Sequence, residues 1–497
     1  MSLLPVIPEI SLLLGSFTIL MFEAFFGTKF QNSKRISFII SIIFSFLALI
    51  FLVKSYSNPI IANGGSMFNG SFSFNQYLFL IKIVLYILLI LFIFSISHFV
   101  EKVKYGPEFL ALVFLSLVGS SLLISSNNLL SFYISLELQT FPLYIMAAFS
   151  KKSQKSAESA LKYFILSAVA SGILLFGISI VYGFSGSIDF DVLLDRTQFK
   201  VGISKMLLLG FVMIISTMFF KIAAAPFHIW SPDVYQGAPT PATSFFAAIS
   251  KFAAVIAIIE IFRFLAVAWN NIDQIFILTA VLSLLVGAFG AIRQTNIKRL
   301  LAYSSVGHIG FVLSSLAILN PIYSFSGLTI YIIIYSFTSI GVFAFLLSIY
   351  NSNKSKNIDD VDDQTYHINA LAGMSKTNPI LTASLTILIL SFAGIPPMAG
   401  FFSKFYVLFA VVNNENYFIA LVAILSAVVS CFYYLRIIKI MYFDERIAGS
   451  KISIVKCNAN IVVIICALLL LLAPLYFNDF MNLVESKIPN ILSYAKR

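Results

Sequence analysis

The sequence predicts an all-α polytopic membrane protein. Of its 497 residues, 60% are hydrophobic and only 11% are charged, a far more apolar composition than that of soluble domains. Apolar runs of about 18 residues or more, long enough to cross the hydrocarbon core of a bilayer, recur along the whole chain. We therefore expect no separate soluble domain.

Windows of apolar residues divide the chain into about fourteen predicted transmembrane helices. The fifth, seventh and twelfth spans contain internal prolines, each of which leaves a backbone carbonyl without its helical hydrogen bond. The predicted spans are 3–26, 36–53, 76–97, 107–125, 128–149, 159–183, 203–230, 240–264, 274–292, 299–319, 322–350, 379–411, 415–442 and 459–477.

The distribution of basic residues predicts the orientation of these spans. Lys and Arg are concentrated in loops that follow odd-numbered spans, such as 27–35 and 150–158. The positive-inside rule makes those loops cytoplasmic, and an even number of spans then leaves both termini on the non-cytoplasmic side. The first span carries Glu9 and Glu23 and lacks a basic leader and a cleavage motif, so we expect it to be retained.

The seventh span contains the most informative stretch, which runs from Lys221 to Pro241. Residues 206–220 are almost wholly apolar, which places Lys221 at membrane depth, where a charge costs about 2.5–3.5 kcal/mol. Pro226 cannot donate to the carbonyl of Ile222, so the helix is predicted to break and to free a backbone acceptor beside the lysine. A broken helix beside a buried charge indicates an ion path. The alternative is a lysine that merely pairs internally.

The twelfth span has a similar arrangement. Pro396 and Pro397 interrupt it after Gly394, and Lys404 follows the break. Corresponding breaks in two spans are typical of inverted repeats, so spans 4–8 and 9–13 are predicted to form two five-helix units, each with a proline-broken helix. The predicted segments are 1–106 (flanking helices 1–3), 107–270 (first unit), 271–445 (second unit) and 446–497 (last helix and tail).

An acidic residue in the fifth span complements Lys221. Glu137 precedes Pro142 by the same interval that separates Lys221 from Pro226. An acid and a base in neighbouring helices would offset each other's desolvation, and a change in their separation would alter the lysine's affinity for a proton. The sequence therefore predicts a movable pair that can release a proton.

Further ionisable residues extend this pattern through the membrane. Lys251 lies near the middle of span 8, and His308 lies about 15 Å along span 10, so both can reach the midplane and form a row with Lys404. A lysine paired with a carbonyl and a satisfied core histidine are the respective alternatives for Lys251 and His308. Lys162 lies close enough to the start of span 6 to extend to the interface. For Lys82, in span 3, the sequence indicates no partner.

The sequence contains no recognisable source of energy or redox chemistry. Cys431, Cys457 and Cys466 form no Cys-x-x-Cys pair, and with four histidines they give no ligand set for a metal, cluster or haem. Dinucleotide-binding and Walker A motifs are absent. The formal charge of +11 is spread over loops, which does not favour nucleic-acid binding. Transport would therefore depend on a partner subunit or on an ion gradient.

These motifs carry a family resemblance. The segment from Lys221 to Pro241, with Glu137 and the segment from Gly394 to Lys404, resembles the antiporter-like membrane subunits of respiratory complex I. Those subunits are relatives of multisubunit cation/proton antiporter subunits. Within the family, Pro-Phe-His-x-Trp-x-Pro-Asp-Val-Tyr at 226–235, Leu-Lys-Tyr-Phe-Ile-Leu-Ser-Ala at 161–168 and a lysine at position 404 are similar to the N-type members. Nearly the whole chain fits that type, which lacks a long lateral helix.

The resemblance implies a proton path, partners and a location. NADH, FMN, iron–sulfur clusters and quinone would be bound by partner subunits and none by this chain. The neighbours would include M-type and small K-type membrane subunits, in a bacterial plasma membrane or alternatively in an organellar inner membrane. The implied path runs through Glu137, Lys221, Lys251, His308 and Lys404, with Lys162 modulating the first pair.

Two other functional interpretations remain open at this point. The chain could belong to a cation/proton antiporter that exchanges Na⁺ for H⁺ without redox input. Alternatively, the buried charges could be assembly contacts in a purely structural subunit. The sequence does not determine the direction of transport or the number of protons moved.

Overall fold

The computed structural model is almost entirely helical, as predicted. It describes residues 4–27, 32–58, 61, 64–193, 204–265, 269–318, 321–351, 366–445, 452–454 and 457–488. Residues 446–451, 455–456 and 489–497 of the predicted last segment lie outside the described residues. The division into segments at 106, 270 and 445 stays a prediction.

Helices α1 to α11 cover the predicted flanking segment and the first unit. Several begin at residues suited to capping a helix: Asn75, Asn128 and Ser204 accept hydrogen bonds from first-turn amides at 2.8, 2.6 and 3.2 Å. The helices are α1 (Ile7–Phe26), α2 (Ser33–Ser55), α3 (Gln76–Ser95), α4 (Ser97–Lys102), α5 (Gly106–Ser125), α6 (Leu129–Ala147), α7 (Gln154–Ser185), α8 (Lys205–Ile222), α9 (Trp230–Gly237), α10 (Thr240–Phe245) and α11 (Lys251–Leu265).

Helices α12 to α20 cover the predicted second unit and the last segment. Asn296 caps α13 by accepting from the amide of Lys298 at 3.0 Å. The helices are α12 (Trp269–Ile292), α13 (Ile297–Leu316), α14 (Pro321–Ser348), α15 (Met374–Thr377), α16 (Pro379–Ala393), α17 (Ala399–Asn413), α18 (Tyr417–Phe443), α19 (Asn458–Leu472) and α20 (Phe477–Lys487).

The helices agree with the predicted membrane spans. In the described part of the chain, 12 helices are long and apolar enough to cross a bilayer. Two predicted spans are not among these 12 helices. The tenth is α13, which is 20 residues long, and the twelfth consists of two shorter apolar helices, α16 and α17. The chain is therefore a multi-pass membrane protein with the predicted order of spans.

The predicted break in the seventh span is confirmed. Helix α8 ends at Ile222, Ala223 adopts a left-handed conformation with φ of 60°, and α9 begins at Trp230. Backbone groups freed by the break find partners within the protein, because the amide of Ala225 donates to Ser283 at 2.8 Å. The indole of Trp230 donates to the carbonyl of Phe220 at 3.0 Å. Irregular backbone at membrane depth is thus satisfied internally.

The predicted break in the twelfth span is also confirmed. Helix α16 ends at Ala393, and Gly394 follows with φ of 78°, a conformation that glycine adopts without steric cost. A Cβ atom at Gly394 would lie only 2.7 Å from the Cδ of Lys404. The left-handed turn and the absence of a side chain therefore leave room for the lysine against the end of α16.

The eighth span contains a helical irregularity that the apolar pattern did not indicate. Between α10 and α11, residues Phe246–Ser250 form a π-helical turn, and Lys251 follows it directly. Such turns are rare and occur often at functional sites, since they misalign backbone groups and redirect side chains. Here the carbonyl of Ser250 accepts a hydrogen bond from Gln139 of α6 at 3.3 Å.

Two small antiparallel sheets are present among the described residues. Strands β1 (Gly65–Met67) and β2 (Phe72–Phe74) form a hairpin before α3. Strands β3 (Ile349–Asn351) and β4 (Ile452–Ile454) pair across a long sequence separation. Three-residue strands of this kind carry little periodic signal in a sequence.

Lys82, for which no partner was predicted, forms a buried ion pair. Its ammonium donates to the Glu9 carboxylate at 2.6 Å, and both side chains are less than 5% exposed. Ser121 of α5 donates to the same carboxylate oxygen at 2.7 Å. The pair therefore joins α1, α3 and α5.

We expect Lys82→Met to destabilise the protein by about 3–5 kcal/mol, because it leaves the Glu9 carboxylate buried without its counter-charge. The double variant Glu9→Gln/Lys82→Met should recover most of that loss, since no charge then remains to be compensated. Denaturation of the purified protein in detergent measures both. Equal stability of the wild type and the single variant would contradict the buried pair.

Candidate functional site

Lys221 lies in the last turn of α8 and is only 8% exposed. Its ammonium donates to the hydroxyl of Ser167 on α7 at 2.7 Å. Ser167 also accepts a hydrogen bond from Tyr144 at 2.6 Å. The partner of the lysine is thus a hydroxyl and not the backbone carbonyl that the sequence suggested, because α7 packs directly against the end of α8.

Glu137 of α6 lies on the same side of α7 but does not contact Lys221 directly. Its carboxylate accepts a short hydrogen bond from Ser171 and a longer one, of 3.5 Å, from Thr140. Ser171 follows Ser167 by one helical turn, about 6 Å along α7. The two members of the predicted acid–base pair are therefore held by two different serines of α7, one turn apart.

Lys251 is the first residue of α11 and is 2% exposed. Its ammonium donates to Ser305 of α13 at 2.6 Å. It also lies 5.4 Å from the centre of the Tyr235 ring, whose face can stabilise a cation. This lysine, like Lys221, is held by a serine of the neighbouring helix.

His308 follows Ser305 on α13, within one helical turn of it. Its Nδ1 lies 2.7 Å from the hydroxyl of Tyr331, and its Nε2 lies 3.1 Å from the hydroxyl of Tyr434. Tyr434 makes a further short hydrogen bond to Ser304. Both ring nitrogens are thus satisfied, an arrangement compatible with a relay and with a core histidine.

Lys404 lies in the first turns of α17 beside the second helix break. Its ammonium donates to the carbonyls of Phe392 and Ala393, each at 2.9 Å. These carbonyls belong to the last turn of α16. No following helical turn supplies backbone N–H donors to them. A free backbone acceptor, which the sequence predicted beside Lys221, is thus found beside Lys404 at the second break instead.

A small cavity connects His308 with Lys404. It has a volume of about 10 Å³, room for about one water molecule, and both side chains line it. Its remaining polar lining consists of hydroxyl groups, from Ser304, Ser426, Ser430, Tyr433 and Tyr434.

The three lysines of the row, Lys221, Lys251 and Lys404, share one chemical property. Among the described residues, no carboxylate forms an ion pair with Lys221, Lys251 or Lys404, and their hydrogen-bond acceptors are neutral. A serine hydroxyl can accept from an ammonium and donate to a neutral amine, while a carbonyl can accept from either form. Each lysine can therefore be hydrogen bonded with or without its proton.

Lys162 has a different environment from the other candidates. Its side chain is 43% exposed and lies 2.8 Å from both Glu158 and Asp233. Asp233 also pairs with Arg299 of α13 at 2.7 Å. Lys162 is thus part of a partly exposed ionic cluster that borders a pocket, and it makes no hydrogen bond to Glu137 or Lys221.

The most informative comparison is with protein families. Residues 126–430, well over half of the chain, match the family model described as "NADH:quinone oxidoreductase/Mrp antiporter, TM". The chain belongs to this family. The matched segment contains every residue of the row from Glu137 to Lys404.

Curated relatives within the family narrow the comparison. NADH-quinone oxidoreductase subunit N of Rhodospirillum rubrum is 39% identical over 444 residues, which cover 89% of this chain and 88% of the relative. The subunit N of Paramagnetospirillum magneticum is 37% identical over 491 residues and 96% of each chain. The subunit N of Pelagibacter ubique is 40% identical over 449 residues, which cover 89% of this chain and 90% of the relative. The similarity to subunit N thus extends over most of the chain.

Solved structures share the fold. A chain of respiratory complex I from Thermus thermophilus has a TM-score of 0.77 at 25% identity, covering 97% of this chain and 100% of that one. A chain of the Mrp complex from Dietzia has a TM-score of 0.80 at 16% identity. The match covers 99% of this chain and 98% of the Dietzia chain. The second likeness concerns the fold alone.

Several groups that contact the row were not identified from the sequence. Ser167, Ser171 and Ser305 hold the charged side chains of the row, and Tyr331 and Tyr434 hold His308. The only local signal was the spacing of Ser167 and Ser171 by one turn in an otherwise apolar run. For the tyrosines no local signal exists, because they lie on helices distant in sequence.

Proposed function

We propose that this chain is the proton-translocating membrane subunit N of NADH:quinone oxidoreductase, driven by electron transfer in partner subunits. As part of that translocase it would carry no redox centre of its own. The observation that carries the proposal is the row of buried lysines with neutral partners. Two of these lysines, Lys221 and Lys404, lie at helix breaks. The proposed path residues are Glu137, Lys221, Lys251, His308 and Lys404.

The geometry suggests how a proton would move along the row. A lysine that loses its proton can keep its hydrogen bond, since Ser167 and Ser305 can each reverse from acceptor to donor. His308 can take a proton on one ring nitrogen and release one from the other, towards Tyr331 or Tyr434. Lys404 would then exchange protons with the hydroxyl-lined cavity beside it.

The electrostatic cost of removing the proton from Lys221 depends on Glu137. A charge on this carboxylate favours the protonated form of Lys221, and the two serines leave room for their separation to change. Lys162, through its pairs with Glu158 and Asp233, is proposed to modulate the pair from the partly exposed cluster.

The driving energy is proposed to come from outside this chain. Moving a charge against the membrane potential costs about 2.3 kcal/mol per 100 mV. We place NADH, FMN, iron–sulfur clusters and quinone on partner subunits, with M-type and K-type subunits as membrane neighbours. The bacterial relatives support a bacterial plasma membrane, and the basic loops favour both termini on its non-cytoplasmic side.

A second candidate is a cation/proton antiporter subunit that exchanges Na⁺ for H⁺ without redox input. The fold likeness to the Mrp complex favours it, since the same helix arrangement occurs there. The extensive identity with subunit N relatives favours the first candidate.

Purification of the tagged chain from membranes in mild detergent, followed by reconstitution into vesicles, separates the two candidates. We expect flavin and iron–sulfur subunits to co-purify and NADH with quinone to drive proton uptake or release. A proton movement that instead requires a Na⁺ gradient, with no effect of NADH, would replace the first candidate with the second.

A further inference from the structure

The side chains of the row fall into two groups according to the helices that hold them. The first group, on α6, α7 and α8, contains the Glu137–Ser171 hydrogen bond and the separate Lys221–Ser167–Tyr144 hydrogen bonds. The second group, around α11 and α13, contains the Lys251–Ser305 hydrogen bond and the separate hydrogen bonds of His308 to two tyrosines. Within the described residues, no hydrogen bond of these side chains crosses from the first group to the second. A proton that travels along the row needs an additional group at this point.

Tyr235 of α9 lies at this gap. It is fully buried, and its ring faces the Lys251 ammonium at 5.4 Å. Its hydroxyl is near enough to Tyr335, Ser305 and Tyr163 to interact electrostatically with each of them. It therefore approaches both groups of the row.

Tyr163 connects Tyr235 to the first group. Its ring lies 5.1 Å from that of Tyr144, whose hydroxyl donates to Ser167, the partner of Lys221. It also stacks on Trp230 of α9 at 4.7 Å. Helix α9 thus presents Tyr235 between the Lys221 neighbourhood and Lys251.

The Tyr235 hydroxyl is buried and has no hydrogen-bond partner among the described residues. An unsatisfied buried hydroxyl destabilises a folded protein, and phenylalanine would avoid that cost while keeping the ring over Lys251. Such groups are few in native proteins, and a catalytic role is one of their explanations. A hydroxyl that accepts and donates a proton in turn would have such a role.

We propose that Tyr235 relays protons between the Lys221 group and Lys251. A donor N–H or O–H bond breaks as a new O–H bond forms at the phenol oxygen, while the phenol's own proton passes to the next acceptor. Rotation of the hydroxyl then restores the starting state, and no oxidant or reductant takes part. The proposal rests on the proposed function, because it concerns a step within the same path.

The variant Tyr235→Phe tests the hydroxyl alone. It keeps the aromatic face over Lys251 and removes a group without a partner, so we expect the complex to assemble normally. Redox-driven proton pumping in vesicles should fall by at least about tenfold, since a positioned proton-transfer group typically contributes about 10²–10⁴-fold. Full pumping by the assembled variant would overturn the relay.

Two further variants complete the test. Tyr86→Phe is the matched control, because Tyr86 is fully buried and its hydroxyl lies 3.3 Å from Ser121, which does not belong to the row. It should pump as the wild type does. Tyr235→Leu removes both ring and hydroxyl. If Tyr235→Phe pumps normally and only Tyr235→Leu fails, the ring supports Lys251 and the relay is wrong.

Lys221→Ala, measured in parallel, separates this proposal from the function on which it rests. Full pumping by Lys221→Ala would reject the proposed path itself. Loss of pumping in Lys221→Ala with normal pumping in Tyr235→Phe would reject the relay alone.

Discussion

Complexes that carry Lys221→Ala are expected to assemble but to pump protons at least about tenfold more slowly than the wild type. The substitution removes the ammonium held by Ser167 and thereby the only buried cation in the first group of the row. Glu137 and its serine partner remain, but the proton has no basic group to occupy beside them. Proton pumping by purified complexes in vesicles, relative to NADH oxidation, measures the effect.

A surface lysine provides the control for this substitution. Lys376 is exposed, so Lys376→Ala changes the charge of the chain without touching the row. We expect it to pump normally. An assembled Lys221→Ala complex with an unchanged number of protons per electron would exclude Lys221 from the path.

Lys404→Arg is expected to cause a loss of similar size for a different reason. Arginine retains a permanent positive charge and donors for the carbonyls of Phe392 and Ala393, but it does not release a proton at any pH relevant to the protein. Assembly should therefore survive while pumping falls. The same vesicle assay measures this outcome.

A comparison with Lys404→Met separates charge from proton exchange. Methionine leaves the two carbonyls at the end of α16 without their lysine donor, at a cost of about 1–3 kcal/mol for each unsatisfied group. We expect a less stable complex that also fails to pump. Normal pumping by Lys404→Arg would show that position 404 needs only a cation and does not itself carry the proton.

The sequence predicted the helices and their breaks because both depend on local chemistry. Apolar runs define the spans, and Pro226 and Pro396 lie just beyond the ends of α8 and α16, which cannot continue as regular helices through them. The depth of Lys221, Lys251 and Lys404 also followed from their apolar surroundings, and all three are at most 8% exposed.

The partners of these charges could not be predicted, because they come from distant parts of the chain. Ser167 lies 54 residues from Lys221, and Ser305 lies 54 residues from Lys251. Serines are frequent in these spans, so no single one carried a distinguishing signal. The Glu9 partner of Lys82 is 73 residues away for the same reason.

Lys162 shows where a family resemblance and local chemistry differ. The resemblance implies that it modulates the Glu137–Lys221 pair, whereas its position near the start of span 6 suggested an interfacial lysine. The structure places it in ionic contact with Glu158 and Asp233, with nearly half of its side chain exposed. Any influence on the pair must therefore act over a distance, through charge or through movement of α7.

The most direct test of the proposed path is the ratio of protons moved to electrons transferred, measured in one vesicle system for four complexes. These are the wild type, Lys221→Ala, Lys404→Arg and the Lys376→Ala control. The proposed path predicts a full ratio for the wild type and the control and a sharply lower ratio for both variants of the row. Equal ratios in all four assembled complexes would contradict proton transport along these residues.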